Sequence, residues 1–394
     1  MENKKNPFSP KAKHFFIVAG EASGDLHAAR LMRALKELLP ECRFSGIGGA
    51  NMAREGLESI VPLADISVVG FWEVAKRYPM FKRLLETTSS MLASGGYDAF
   101  IPVDYPGFNL RLAATAKAAH VPVAWYIAPQ LWAWGSDRAA KLKSLVDTLL
   151  VVLPFEPDFF RQFGIDAHFV GHPLMEDPVI AASPLGISER DREIALFPGS
   201  RRQEITRNLP TMLESIAAMR HISPQYADYR VTLALSPTLP AADYDILLQE
   251  THKRYGFTIE REIDGRRLLA RARAGMVKTG TSTLEAALCG MPHVMMYRTS
   301  ALSYLYAKRL VNLSTIALPN ILMEKAHGRN NVVPELVQTM ATPHSLAQAM
   351  MSLLEDTVAR QMIDDFATLR AMLSNGAYGT ASGDAARIIA EMVA

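Results

Sequence analysis

Cysteine is scarce in this sequence, and neither sign of charge dominates it. The two cysteines, Cys42 and Cys289, offer no disulfide framework and no metal-ligand spacing. Lysine and arginine number 42 against 40 aspartates and glutamates, whereas a general nucleic-acid binder needs a clear basic excess. No stretch approaches the ~20 uninterrupted apolar residues of a transmembrane helix. These absences favour a cytoplasmic globular protein that binds no nucleic acid.

The length of 394 residues, with 49% hydrophobic residues, suggests two domains with large cores. Apolar runs that end in polar turns alternate with helical patterns, first over residues 15–153 and again from residue 194. A segment rich in Pro, Ser and Asp, 171–191, separates the two series. We therefore expect two doubly wound α/β domains, whose ligands bind beyond the carboxyl ends of the strands and, by default, in the cleft between the domains. Strand candidates in the second series are 194–197, 231–235, 257–260, 275–277 and 293–297.

The first candidate site is the loop Gly20–Asp25, which directly follows the first predicted strand. Its glycines permit close approach of a ligand, and the next helix points its amino terminus there. The loop does not match the G-x-G-x-x-G fingerprint, so a nicotinamide enzyme is disfavoured. Ser23 and Asp25 also suit simple helix capping, but Glu21 at a strand end is harder to explain structurally.

Two further loops follow strands of the same series. Asp104 comes directly after the apolar run 99–103, where a carboxylate can accept a proton from an attacking hydroxyl. Asn109 lies near the start of the next helix, which Asp104 could alternatively cap. Trp132 and Trp134 follow another strand and suit either a sugar or acyl pocket or ordinary packing.

The second series contains two loops that are typical of phosphate sites. The turn Gly199-Ser200-Arg201 opens a helix that carries Glu204, and backbone N–H groups with an arginine suit a diphosphate. Gly280-Thr281-Ser282 opens another helix, in which Glu285 could hold the hydroxyls of a ribose or serve only as a partner for the helix dipole. Two such loops in one domain predict a nucleotide diphosphate.

Taken in order, these loops resemble the lipid-A-disaccharide synthase family. The resemblance covers residues 14–340 and rests on GEASGD, VDYPGFN, PQLWAW, Gly171–Pro173, PGSRRQEI, GTSTLEAALCGMP, Tyr297-Arg298, Leu318–Asn320 and Val333–Leu336. Departures are small: a tryptophan at Trp72 replaces a smaller apolar residue, and Lys278-Thr279 replaces a more neutral pair.

The resemblance implies the GT-B fold, with two Rossmann-like domains facing a central cleft. We expect an acceptor domain at 1–175, a UDP-sugar domain at 176–365, and a helical tail at 366–394 that crosses back to the first domain. The implied reaction moves a 2,3-diacylglucosamine from UDP to the 6-hydroxyl of 2,3-diacylglucosamine 1-phosphate with inversion. A β-1,6 disaccharide and UDP result.

The implied site uses Asp104 as the general base, with Glu21 as the next candidate. Substrate binding is assigned to Ser23, Asp25, Asn109, Trp132, Arg298 and Asn320. UDP binding is assigned to Gly199, Ser200, Arg201, Glu204, Gly280, Thr281, Ser282 and Glu285. No metal and no other cofactor is expected, because donors and helix ends can stabilise the leaving diphosphate. A UDP-N-acetylglucosamine epimerase or another UDP-sugar enzyme of the same fold is one alternative, and a non-catalytic lipid- or nucleotide-binding module is the other. A homodimer is left open.

Both implied substrates carry acyl chains, so we expect peripheral binding to the cytoplasmic leaflet of the inner membrane. Between residues 68 and 85, aromatic residues alternate with cations, as in interfacial segments. An ordinary amphipathic element packed on the sheet is the alternative. The predicted docking residues are Phe71, Trp72, Lys76, Arg77, Phe81, Lys82 and Arg83.

Overall fold

The computed structural model describes residues 12–62, 78–182, 186–236, 239–240, 242–299, 313–374 and 379–394. The chain forms two compact units. The first comprises Met1–Pro173 and Ser374–Ala394, and the second comprises Leu174–Leu373. The sequence predicts boundaries after residues 175 and 365, whereas the units divide after Pro173 and Leu373.

The first unit is built on a parallel sheet of seven strands in the order β3-β2-β1-β4-β5-β6-β7. Its strands are β1 (His14–Ala19), β2 (Arg43–Gly48), β3 (Leu57–Pro62), β4 (Ala99–Val103), β5 (Ala124–Tyr126), β6 (Thr148–Val151) and β7 (Ala167–Phe169). Its helices are α1 (Ala22–Leu38), α2 (Ala50–Arg54), α3 (Tyr78–Ala93), α4 (Pro106–Ala118), α5 (Ala139–Leu145), α6 (Glu156–Arg161) and, from the end of the chain, α15 (Ala381–Met392). Helix α15 packs against α1 within this unit.

The second unit is built on a parallel sheet of six strands in the order β10-β9-β8-β11-β12-β13. Its strands are β8 (Asp191–Phe197), β9 (Arg230–Ala234), β10 (Glu260–Glu262), β11 (Ala272–Lys278), β12 (His293–Tyr297) and β13 (Glu335–Val337). Its helices are α7 (Pro178–Ala181), α8 (Arg202–Ile222), α9 (Ala242–Tyr255), α10 (Gly265–Arg271), α11 (Thr281–Leu288), α12 (Leu318–His327), α13 (Pro343–Leu354) and α14 (Asp356–Leu373).

Continuous apolar runs form the central strands because helices cover both faces of each sheet. In β1, Phe15 to Ala19 are all fully buried, and β11 is buried from Ala272 to Val277. The strand order reverses direction between β1 and β4 in one sheet and between β8 and β11 in the other. In open parallel sheets of this type, ligands bind at such a switch point, beyond the carboxyl ends of the strands.

The position of the strand predicted at 257–260 is wrong, because β10 runs over Glu260–Glu262. Phe257 is buried before the strand begins, with the guanidinium of Arg220 4.6 Å from its ring centre. The edge strand itself is charged, and Arg261 pairs with Asp245. The apolar residue that suggested the strand therefore lies before it, and the edge strand itself is polar.

Candidate active site

Two acidic residues lie at the switch point of the first sheet. Glu21 follows β1 and precedes α1, and Asp104 follows β4. These strands are direct neighbours, with Ala19 paired to Val103 at their carboxyl ends. The side chain of Glu21 is exposed, and its charge acts on Asp104. The sheet thus brings together the two carboxylates that the sequence selects as base candidates.

The backbone at Asp104 is strained and firmly held. Asp104 and Tyr105 have φ angles of 48° and 51°, a left-handed conformation that costs of order 1–3 kcal/mol at each non-glycine residue. The Asp104 N–H donates to the carbonyl of Tyr126 at 3.0 Å, and the Asn109 side-chain amide donates to the carbonyl of Asp104 at 2.7 Å. Neighbouring strand and helix therefore hold Asp104 in place.

Gly20 is needed because the ring of Tyr105 lies directly on it. A Cβ at Gly20 would lie 2.3 Å from this ring, closer than any side chain tolerates. This contact ties the loop after β1 to the turn after β4. The glycine in the first sequence motif therefore serves the packing of the second motif.

The pKa of the Asp104 carboxyl group lies closer to neutral pH than that of an ordinary aspartate. Burial is the main cause that raises its pKa from 3.8 to about 6, and the negative charge of Glu21 adds to the rise. A hydrogen bond involving the backbone of Tyr105 acts in the opposite direction. A general base with such a pKa is mostly ionised at neutral pH and still accepts a proton readily.

Asp25 is buried, and its carboxylate is hydrogen-bonded to the segment after β2. Its carboxylate accepts hydrogen bonds from the backbone N–H groups of Gly49, Asn51 and Met52, at 2.7, 3.1 and 3.1 Å, and from the side chain of Asn51 at 2.9 Å. Asp25 therefore supports the start of α2. Ser23 is exposed in the first turn of α1, and the assignment of both residues to substrate stays a prediction.

Trp132 is fixed by a buried carboxylate that the sequence did not reveal. Its indole N–H donates to Glu156 Oε1 at 3.0 Å, and its ring meets that of Phe155 edge to face at 5.1 Å. Glu156 is 1% exposed and also accepts the N–H groups of Val152 and Leu153. Burial raises the pKa of Glu156 to about 7. Trp134, by contrast, is 47% exposed.

The second sheet places both predicted phosphate loops at its switch point, since one follows β8 and the other follows β11. Gly199 has a φ of 124°, which a residue with a side chain rarely adopts. This conformation lets the N–H of Ser200 donate to Glu204 Oε2 at 3.1 Å. Arg201 precedes α8 and is largely exposed, with one guanidinium nitrogen 3.7 Å from Glu204.

Glu285 on α11 is held by Arg266, a residue that no motif in the sequence indicates. Arg266 on α10 donates to Glu285 Oε1 at 3.2 and 3.4 Å and to Asp177 at 2.5 Å. Glu285 is partly exposed, and Arg266 contacts it through Oε1. Thr281 begins the same helix after Gly280 and is exposed, and Ser282 is partly exposed.

The side chains of Asn320 and Arg298 differ in the number of hydrogen bonds that they form within the protein. The Asn320 amide donates to the carbonyl of Val333 and to Glu335 and accepts the N–H of Val333, and the residue is 1% exposed. Arg298 follows β12 and donates to the Thr211 hydroxyl at 2.6 Å. Asn320 therefore holds the start of α12 to the segment before β13, and its assignment to substrate stays a prediction.

The predicted docking segment is described only in part, because Phe71, Trp72, Lys76 and Arg77 lie outside the described residues. In α3, Phe81 packs against the hydrophobic core, whereas Lys82 and Arg83 are exposed. Lys82 lies 3.8 Å from Glu86 on the same helix. The described half of the segment is thus part of an amphipathic helix, whose outer face carries Lys82, Arg83 and Glu86.

Within the described ranges, no helix is long and apolar enough to cross a membrane. The same residues contain no group of three or more His, Cys, Asp and Glu side chains that could hold a metal ion.

Comparison with solved structures gives the fold class of this protein. A UDP-GlcNAc 2-epimerase from Methanocaldococcus jannaschii, solved with UDP-GlcNAc and UDP, superposes with a TM-score of 0.59 and 13% identity, covering 96% of this chain and 99% of that one. The calicheamicin glycosyltransferase gives a TM-score of 0.55 and 15% identity over 97% of both chains. At such identities the likeness concerns the fold alone. Two parallel Rossmann-like sheets give the chain the GT-B fold, as predicted.

Sequence comparison gives the family. The model of the lipid-A-disaccharide synthetase family matches residues 15–382. A lipid-A-disaccharide synthase of Anaeromyxobacter dehalogenans is 40% identical over 363 residues, covering 90% of this chain and 91% of the relative. That of Hahella chejuensis is 34% identical over 395 residues, covering 98% and 96%. The chain therefore belongs to the lipid-A-disaccharide synthase family, and it is a glycosyltransferase of lipid A biosynthesis. Membership implies lipid A precursors as substrates, and the predicted family and enzyme class are confirmed.

Proposed function

We propose that the protein transfers a 2,3-diacylglucosamine from UDP to the 6-hydroxyl of 2,3-diacylglucosamine 1-phosphate. The products are the β-1,6-linked disaccharide 1-phosphate and UDP, and the anomeric configuration inverts. The observation that carries this proposal is the placement of Asp104, a held carboxylate with a pKa of about 6 at the switch point of the first sheet.

In the proposed step, Asp104 removes the proton from the acceptor 6-hydroxyl as its oxygen attacks the anomeric carbon. The bond between that carbon and the β-phosphate oxygen breaks, and UDP leaves with the bonding electrons. A positioned base of this kind contributes roughly 10²–10⁴-fold to the rate. The charge of Glu21 raises the pKa of Asp104 and thereby its basicity. If Asp104 is not the base, Glu21 is the next candidate.

The second unit would hold UDP at its switch point. The Ser200 N–H, the Arg201 guanidinium and the hydroxyls of Thr281 and Ser282 are the proposed donors to the diphosphate, and the turns at Gly199 and Gly280 let it approach. Glu285 would accept the ribose hydroxyls, with Arg266 fixing one of its oxygens. These donors stabilise the charge that develops on the leaving group, so we propose a reaction without a metal or other cofactor.

We assign the acceptor to the first unit. Ser23 and Trp132 are proposed to contact it directly. Arg298 and Asn320, which belong to the second unit, are proposed to bind substrate as well. Asp25 and Asn109 would act by fixing the backbone around the acceptor, as their buried hydrogen bonds suggest.

Because the proposed substrates carry acyl chains, the enzyme would meet them at a membrane surface. We propose peripheral association with the cytoplasmic leaflet of the inner membrane, supported in the described residues by the exposed Lys82 and Arg83 on α3. Each cation near an anionic surface contributes about 1 kcal/mol. No nucleic-acid partner is proposed.

Release of UDP that depends on the acylated acceptor tests the reaction. Asp104→Asn should lower turnover by at least a hundredfold while leaving UDP binding within about twofold, because the amide keeps the shape but takes no proton. Asp158→Asn, an exposed change in the same unit, should behave like the parent. Turnover of Asp104→Asn within about threefold of the parent would exclude Asp104 as the base. Epimerised UDP-sugar without acceptor-dependent UDP release would favour the epimerase alternative.

A further inference from the structure

An ion pair spans the switch point of the second sheet. Lys278 is the last residue of β11, and its Nζ lies 2.9 Å from Oε1 of Glu204, which belongs to the helix after β8. The two side chains are 21% and 19% exposed, so both are largely withdrawn from water. The lysine therefore points its charge across the place where the two proposed diphosphate loops meet.

The Glu204 carboxylate accepts one backbone hydrogen bond and forms ion pairs with two cationic side chains. Glu204 accepts the N–H of Ser200 on Oε2, and its Oε1 faces both Lys278 at 2.9 Å and Arg201 at 3.7 Å. A backbone N–H at a helix start, a guanidinium and an ammonium are together the groups that bind phosphate in proteins. The carboxylate of Glu204 thus has the surroundings of a bound anion.

We propose that Lys278 is a ligand of the UDP diphosphate. In the absence of nucleotide, the Glu204 carboxylate occupies the position of the diphosphate. The proposal rests on the UDP site argued above and adds to it a cation and an internal competitor. On binding, the diphosphate takes the Ser200 N–H, Arg201 and Lys278 from Glu204, whose carboxylate moves toward water. Lys278 is suited to this exchange because its ammonium is a compact charge on a flexible stem.

The competing explanation is an ion pair that only fastens the loop after β8 to the end of β11. Such a pair would affect the thermal stability of the protein and leave nucleotide affinity unchanged. The two explanations also differ at Glu204. If Glu204 only connects the two loops, its charge should not weaken UDP binding. If Glu204 competes with the diphosphate, its negative charge should weaken UDP binding.

The experiment is calorimetric titration of the full chain with UDP, UMP and uridine. Lys278→Met should raise the Kd for UDP roughly tenfold to a hundredfold, the range for one charge-assisted hydrogen bond to phosphate. The Kd for uridine should change less than twofold, since uridine has no phosphate. Glu204→Gln keeps the shape and an acceptor for Ser200 but removes the charge, and it should bind UDP at least threefold more tightly than the parent.

Lys253→Met is the matched control, because Lys253 is an exposed lysine on α9 of the same unit. It should bind UDP like the parent. If the parent does not bind UDP, the proposed function itself fails. If the parent binds UDP but Lys278→Met does so within twofold, the inference on Lys278 is overturned and the proposed function stands. Weaker UDP binding by Glu204→Gln would overturn the role of Glu204 as a competitor. Should Lys278→Met fail to fold, Lys278→Gln and Glu204→Gln carry the same test.

Discussion

Acidification should slow the transfer reaction in a way that follows from the surroundings of Asp104. Its pKa of about 6 lies well above the ordinary value of 3.8. With that pKa, roughly nine-tenths of the carboxyl groups are ionised near pH 7 and roughly one-tenth near pH 5. Only the ionised form can accept the proton, so kcat/KM should fall roughly tenfold between these two pH values.

Removing one cause of the raised pKa should move this profile. The charge of Glu21 is the second cause after burial, and Glu21→Gln takes it away while keeping the side-chain size. The pKa of Asp104 should then fall, and the acid limb of kcat/KM should shift to lower pH. Burial remains, so the limb should stay above that of an ordinary aspartate.

The assay is the initial rate of UDP release at acceptor concentrations well below KM, because kcat/KM then reports the titration of the free enzyme. UDP affinity measured over the same pH range separates donor binding from the base. A kcat/KM that changes less than twofold between about pH 7 and about pH 5 would refute the assignment of Asp104. An acid limb that stays in place in Glu21→Gln would refute the electrostatic coupling between the two carboxylates.

Three further perturbations test other parts of the site. Arg201→Ala should raise the Kd for UDP roughly tenfold or more, as expected for one charge-assisted phosphate contact. Arg207→Ala, an exposed change on α8, the helix that Arg201 precedes, serves as its control. Equal UDP affinity of Arg201→Ala and the parent in calorimetric titration would remove Arg201 from the diphosphate site. Arg266→Gln should weaken uridine and UDP by the same factor, because it frees the Glu285 carboxylate that both nucleotides would meet at the ribose; a loss confined to UDP would contradict the ribose assignment. Replacing Lys82 and Arg83 together by Gln should reduce binding to anionic vesicles roughly tenfold or more, at about 1 kcal/mol per cation. Co-sedimentation with neutral vesicles is the control, and unchanged binding to anionic vesicles would exclude this face of α3.

The local pattern of the sequence was sufficient for the α/β architecture and for the loops of the site. Buried parallel strands are continuous apolar runs, and the residue that ends each run marks a strand end. Glu21, Asp104, Ser200 and Thr281 could therefore be placed at strand ends from sequence alone. Edge strand β10 lacks an apolar run, and its position was accordingly predicted wrongly.

The role of most buried polar side chains was decided only by the tertiary structure. Asp25 bonds to residues 49–52, and Asn320 bonds to Val333 and Glu335. Phe81 could equally have faced a membrane, but it packs into the core. A side chain's hydrogen-bond partners depend on which distant segments the fold brings beside it, and spacing along the chain carries no record of them.

The same reason applies to the pairs that tune the site. Lys278 and Glu204 are far apart in the sequence and meet because β8 and β11 are neighbours in the sheet. Glu21 and Asp104 meet because β1 and β4 are neighbours. The sequence determined which residues stand at the ends of strands. The order of the strands, set by packing over the whole domain, decided which of those residues lie close enough to interact.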